Sequence, residues 1–364
     1  MTFCVAPWYA LEQGYDGHQT ACCFLPAAVD IQEVRQAMLD GQRPKACSAC
    51  WRIEDAGQIS HRQRRNQELD VYWNVDISEI ERQVRNGQYA VRMLKLFTSN
   101  LCNSTCVTCS PSFSSSWQRL ARRDNSKFVI RPYTTVQPDD ISCDLSQLKT
   151  LSLLGGEPLY ESANFRLLEK LKEIGNTDLF VSIVTNGGVR LTDQQRDILG
   201  HFKNVNFCLS IDGTDRLFEY LRYPLQWQTL LDNIQVFRSI TDNISASYTI
   251  SNLNIQEHPK TTAWFRDNKI PFNYSPVTYP NYFSPQALPE QAKQQLSLEL
   301  DSKDYHGLVG EHHSAHDTLY QEACSELDRQ DRLKGINRQD FLPDHSFFIK
   351  YQPRHIKAPN GTTN

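Results

Sequence analysis

Between residues 91 and 278 the chain repeats one pattern: an apolar, β-branched run followed by a polar stretch of helical periodicity. The runs fall at 91–98, 150–155, 179–185, 204–211, 245–251 and 271–278. Amphipathic segments such as 164–173 and 226–237 lie between them. Strands separated by helices pair in parallel through right-handed crossovers. Six such units predict an α/β protein, a partial (β/α)6 TIM-like barrel whose site lies where loops converge at the C-terminal strand ends.

Those ends carry the polar and glycine motifs. Cys102-Asn-Ser-Thr-Cys106-Val-Thr-Cys109 follows the first run, and Gly155-Gly156-Glu157-Pro158 follows the second. Thr185-Asn186-Gly187 follows the third and Ser210-Ile211-Asp212-Gly213 the fourth. Glycine, Asn and Asp-Gly make turns, and a turn explains any one of these loops. It does not explain their combination with a loop of three thiolates. Three thiolates can hold three irons of a 4Fe–4S cube and leave the fourth without a protein ligand, free to bind a small molecule.

The flanks read differently. Residues 1–85 lack the alternation and place five cysteines within the first 50 positions. Residues 283–364 are Gln/Leu-rich and helical, with fraying expected after Phe348. The expected domains are therefore 1–85, 86–282 and 283–364. The balance of 38 Lys+Arg against 42 Asp+Glu disfavours a dedicated binder of nucleic acid or anionic membrane. The basic runs His61-Arg62-Gln63-Arg64-Arg65 and Arg119-Leu-Ala-Arg122-Arg123 read as solvated helix faces. No run approaches membrane-spanning length, and the N-terminus lacks the basic and apolar regions of a secretory signal. Eleven cysteines, an odd number without an export signal, point to metal or redox chemistry in the cytoplasm.

Taken together, the cysteine run, Gly-Gly-Glu-Pro and Ser-Ile-Asp-Gly resemble the motifs of radical S-adenosylmethionine (SAM) enzymes over residues 91–280. The resemblance implies that Cys102, Cys106 and Cys109 ligate a 4Fe–4S cluster whose open iron is chelated by the methionine part of SAM. It implies that Glu157, with the backbone of Gly155 and Gly156, meets the SAM amino group. Ser210 and Asp212 would lie near the ribose and methionine moiety, with Asn186 beside them. Arg222 in Tyr220-Leu-Arg-Tyr-Pro224 is a candidate partner of the SAM carboxylate, or a surface or core-capping arginine. Asn252 and Asn254 are weaker candidates. The position before the third cysteine is usually aromatic in that family, and here it is Thr108.

The first 50 residues are similar to the SPASM or twitch modules that hold auxiliary clusters. The similarity runs through Cys4-Val-Ala-Pro-Trp8, Asp16-Gly17, Ala21-Cys22-Cys23 and Cys47-Ser-Ala-Cys50-Trp51. It implies a second 4Fe–4S cluster on Cys4, Cys47, Cys50 and Cys22, with Cys23 as the alternative fourth ligand. Zinc is the other reading, since Cys47-x2-Cys50 is an ordinary zinc knuckle. Cys143, Cys208 and Cys324 read as small buried hydrophobes. Tyr274, Tyr279, Tyr282 and Phe283 either cover the barrel mouth or belong to the core. The resemblance favours a ribosomally made peptide substrate, a separate peptide-recognition protein and an external electron donor. The alternatives are a small metabolite, sugar or nucleoside as substrate, and a non-catalytic zinc-binding interaction protein.

Overall fold

The structure, a computed structural model, describes residues 2–26, 28–73, 75–124 and 134–351. Eight strands form one sheet in the order β2-β1-β3-β4-β5-β6-β7-β8. They are β1 (Ala10–Gly14), β2 (Gln19–Thr20), β3 (Met93–Phe97), β4 (Thr150–Leu154), β5 (Phe180–Thr185), β6 (Asn204–Ser210), β7 (Ile244–Ile250) and β8 (Phe272–Pro276). The six strands expected from the sequence are β3 to β8, all parallel. No pairing joins β8 to β2 among the described residues, so the sheet is a partial barrel.

Side-chain alternation sets the two faces. Leu151, Leu153, Val181, Ile183, Val205, Phe207 and Leu209 are at most 1% exposed and face the helices. Phe207 stacks on Phe237 of helix Trp227–Arg238, ring centroids 4.2 Å apart. Each such side chain contributes about 1.5–3 kcal/mol by leaving water. The alternate residues form a polar inner face. Asn206 donates to Ser182 Oγ at 3.2 Å and accepts from Ser245 Oγ at 3.1 Å. Cys208 shares this face and is half-buried, as is Cys143, whereas Cys324 is buried among apolar residues.

The N-terminal segment enters this sheet. Helices Ile31–Leu39, Ser48–Asp55, His61–Trp73 and Ile77–Arg85 fill most of it, but β1 pairs in parallel with β3, from Ala10 opposite Met93 to Gly14 opposite Phe97. The run Ala-Leu-Glu-Gln-Gly has little intrinsic strand preference; pairing with β3 makes it a strand. A separate core of Phe3, Val5, Trp8, Tyr9, Met38, Ile80 and Val84 packs behind it.

One expectation needs correction. Arg62 is not on a solvated face: it is 7% exposed, forks onto both oxygens of Glu54 at 2.9 and 2.8 Å, and donates to the Phe3 carbonyl at 2.7 Å. The run Arg119 to Arg123 is solvated at all three arginines. At the C-terminus, Phe347 and Phe348 are buried in the helix Phe347–Lys350; of the tail expected to fray after Phe348, the part beyond residue 351 lies outside the described residues.

Candidate active site and a second cysteine site

The loop after β3 holds its cysteines by satisfying its own backbone, as a buried loop must. Helix Ser115–Ala121 supplies most partners. Ser114 Oγ donates to Ser104 O at 2.7 Å, Ser116 Oγ to Cys102 O at 2.8 Å, and Trp117 Nε1 to Cys106 O at 2.9 Å. From the opposite side, Thr105 N donates to Tyr223 O and Val107 N to Leu221 O. The Ser104 hydroxyl lies 3.3 Å from both the Cys102 and Cys106 sulfurs. Burial pushes the Cys102 thiol up to about 11 and raises that of Cys109. A metal or cluster there would be held by thiolates, so its binding would displace thiol protons.

Cys102, Cys106 and Cys109 line one cavity of about 470 Å³. Its walls also include Gly155, Gly156, Asn186, Ser210 and Arg222, so five of the seven residues expected around SAM meet the three cysteines there. The two glycines are required by close approach. A Cβ on Gly155 would sit 2.4 Å from Ser99 O, and one on Gly156 2.2 Å from Leu101 O. Gly155 also has φ +123°, a conformation that L side chains rarely adopt.

The carboxylates of Glu157 and Asp212 do other work. Glu157 is 1% exposed and accepts from Leu159 N, Thr185 Oγ1 and Asn186 N, at 3.0, 2.7 and 2.7 Å. It ties the end of β4 to the end of β5 and is not part of the cavity lining. Burial raises its pKa against those three bonds. Asp212 accepts from Thr249 N at 3.0 Å and pairs with Arg222 at 2.7 Å, also outside the lining. Arg222 turns a second N–H toward the Cys106 sulfur at 3.9 Å, and its Nε is buried without a protein partner. Asn254 donates to the carbonyls of Asp212 and Thr249, and Asn252 to that of Tyr282; both act as stitches between loops.

Of the other lining residues, Phe113, Trp117, Glu326, Arg329 and Gln330 were not singled out in the sequence, whereas Tyr279, Tyr282 and Phe283 were. Trp117 is 2% exposed and supplies an aromatic ring beside the loop, where Thr108 does not. Phe113 and Tyr279 line the cavity while 56% and 89% exposed, and Tyr282 joins them; Phe283 also lines it yet is core, and Tyr274 lies elsewhere. Helix Ser314–Lys334 contributes Glu326, Arg329 and Gln330. Gln330 Nε2 donates to Val107 O at 3.0 Å, stitching that helix to the cysteine loop. No local signal places a helix 200 residues downstream on the loop; only the fold does.

A second set of cysteines surrounds a pocket of about 20 Å³ that shares no lining residue with the first. Cys4, Cys22, Cys47 and Cys50 line it with His61 and Arg62; Cys23 does not. The segment carrying Cys4 is clamped by Arg62 and by Asn66, which donates to Phe3 O and accepts from Val5 N. Burial lifts Cys4 to about 12 and Cys47 to about 11. Beside this set, the ligand atoms of Cys22, Cys23 and His61 all lie within 4.8 Å of one another. No other trio of His, Cys, Asp or Glu does so among the described residues.

No helix among the described residues is long and apolar enough to cross a membrane. No family model and no curated protein sequence matches the chain. Solved structures do. The protein anSMEcpe with bound AdoMet is 15% identical, over 67% of this chain and 62% of that one, TM-score 0.41. Streptococcus suis SuiB bound to S-adenosylmethionine is 15% identical, over 80% of this chain and 63% of that one, TM-score 0.38. TYW1 with a lysine-pyruvate adduct is 12% identical, over 55% and 69%, TM-score 0.35. The chain thus spans under two thirds of the first two, and at these values no property of those proteins transfers to it.

Proposed function

We propose that the chain is a radical SAM enzyme, acting on a substrate held in the 470 Å³ cavity. One observation carries this reading: three cysteines from one loop line the same cavity as the Gly155–Gly156 backbone, Asn186, Ser210 and Arg222. The donor set fits an iron–sulfur cube better than a single ion. Structural zinc wants four closed ligands, and this loop offers three. When bound, such a cluster would supply one electron to the sulfonium of SAM, chemistry that breaks the S–C5′ bond, releases methionine and leaves a 5′-deoxyadenosyl radical able to take hydrogen from an unactivated carbon.

The chain's own residues do the rest. Cys102, Cys106 and Cys109 are the cluster ligands. The unpartnered Nε–H of Arg222 would be available to the SAM carboxylate, and the backbone of Gly155 and Gly156, which lines the cavity, would meet its amino group. Glu157 and Asp212 act from behind, fixing Asn186 and Arg222. Phe97, Val107, Trp117 and Phe283 give the cavity an apolar wall beside the cysteine loop. A peptide substrate follows from the resemblance to the SPASM and twitch group alone. So do a peptide-recognition protein and an external electron donor.

For the N-terminal site the same reading assigns a second 4Fe–4S cluster to Cys4, Cys22, Cys47 and Cys50. The shared pocket favours Cys22 over Cys23 as fourth ligand. A single zinc ion is the second reading there, favoured by the tight grouping of Cys22, Cys23 and His61.

The test is anaerobic reconstitution, with iron, sulfide and zinc counted per chain and 5′-deoxyadenosine measured after adding SAM and dithionite. About eight irons with SAM cleavage supports both clusters, and about four irons with one zinc supports the zinc reading. Zinc without iron uptake would overturn the enzyme assignment.

A further inference from the structure

Two cations pack against the cysteine loop from distant parts of the fold. Arg222, following helix Asp215–Leu221, spans from Asp212 at 2.7 Å to the Cys106 sulfur at 3.9 Å. Lys334 ends the helix Ser314–Lys334. Its ammonium lies 5.0 Å from the ring centroid of Trp117 and donates to Gln330 Oε1 at 3.1 Å. Trp117 in turn donates to Cys106 O, and Gln330 to Val107 O, so Lys334 is held over the loop by two residues bonded to it. Burial lowers the pKa of Lys334 to about 8, against the raising effect of the Cys106 and Cys109 sulfurs. The Ser104 hydroxyl, 3.3 Å from the sulfurs of both Cys102 and Cys106, adds a donor from within the loop.

Reduction adds one negative charge to an iron–sulfur cluster. Hydrogen bonds to its sulfurs and nearby net charge set how readily it accepts that charge. In a site shielded from water each acts more strongly than in solution. We propose that Arg222, Lys334 and Ser104 are positioning residues that raise the reduction potential of the cluster held by Cys102, Cys106 and Cys109. The proposal rests on the radical SAM reading and goes beyond it: these groups act on the cluster's electron affinity before SAM arrives. It also gives the C-terminal helix a part in the chemistry, through one lysine.

The experiment is an anaerobic dithionite titration, with mediators, of the reconstituted full-length protein. The midpoint is read without SAM, on the electron paramagnetic resonance signal that a separate sample shows to change on adding SAM. Lys334→Met, Ser104→Ala and Arg222→Lys should each lower the midpoint with iron content unchanged. Arg222→Met should lower it furthest, by at least tenfold in the reduction equilibrium constant, about 59 mV for a one-electron couple. Lys334→Met and Ser104→Ala leave the buried Asp212 pair intact, so the test survives if the Arg222 variants fail to fold. Wild-type midpoints in iron-loaded Lys334→Met and Ser104→Ala would overturn the proposal and leave the enzyme reading standing. A wild-type protein that takes up no iron would sink both.

Discussion

The two cysteine sites use the same donor chemistry in opposite settings. One opens on a cavity of about 470 Å³ and offers three thiols; the other surrounds about 20 Å³ and offers four, with a fifth thiol and an imidazole beside them. The first is framed by glycine backbone, an arginine with an unused N–H and exposed aromatics at its rim. The second is narrow, hemmed by Leu25, Met38 and the Arg62 clamp, with Cys22 and Cys47 half-buried. Room around a set of ligands, more than their identity, separates a site that can admit a substrate from one that can only hold its metal.

The sharpest way to break this comparison is to remove each site in turn. Replacing Cys102, Cys106 and Cys109 by Ala should abolish SAM cleavage. Cys47→Ala with Cys50→Ala should remove about half the iron, or the zinc, while SAM cleavage without substrate persists. Iron counts and 5′-deoxyadenosine yield on the two variants decide it. Loss of cleavage in the second variant, with the first site still loaded, would show that the sites are not independent.

Next in size is the Arg62 clamp at the N-terminal site. Arg62→Ala leaves the half-buried Glu54 with Ser60 as its remaining donor and Phe3 O without one of its donors. Breaking a fully buried pair from one side costs about 3–5 kcal/mol, an upper bound for this one. The variant should lose metal from the N-terminal site on gel filtration and keep that held by Cys102, Cys106 and Cys109. Equal loss from both sites would remove the distinction drawn between them.

A smaller effect tests the framing of the open site. Gly155→Ala puts a Cβ into Ser99 O at a strained φ, an expected loss of about 1–3 kcal/mol from the strain alone. Gly175→Ala shares a positive φ but meets nothing within 4 Å, so it serves as the control. Calorimetric melting temperatures should fall further for Gly155→Ala than for Gly175→Ala. Equal shifts would mean that the approach of the β4 loop to the cysteine loop is not needed for stability.

How much of this was legible in the sequence depends on range. Strands β3 to β8 were readable because each is a local apolar run, and the rim motifs because each follows its strand within a few residues. β1 was not, since Ala10–Gly14 is a strand only by pairing with β3, some 80 residues away. Arg62 looked solvated because its neighbours Arg64 and Arg65 are charged, while its partners Phe3 and Glu54 come from other elements. Glu157 was expected to face SAM; its oxygens also accept from Thr185, Asn186 and Leu159, bonds that no local pattern announces. The C-terminal helix carried composition and no address: Gln330 and Lys334 acquire meaning only from the loop they touch.

The smallest expected effect concerns acid. Burial acts to raise the pKa of Glu54, but the hydrogen bonds from Arg62 and Ser60 and the Arg62 charge outweigh it, so it lies below the ordinary 4.5. A carboxylate with a depressed folded-state pKa contributes stability that is fully present above its unfolded value. That contribution is lost as pH falls through the folded one. The clamp on Cys4 should therefore hold at pH 6 and weaken as pH drops below about 4.5. Glu54→Gln removes the titrating group, so urea midpoints of the metal-free protein should show a shallower decline with acid in this variant than in the wild type. The clamp joins Glu54 to the Phe3–Val5 segment and touches nothing around Cys102, so alkylation of Cys4 should accelerate before that of Cys102. Equal acceleration at both cysteines would mean that acid opens the molecule as a whole, and that the narrow site owes nothing special to its ion pair.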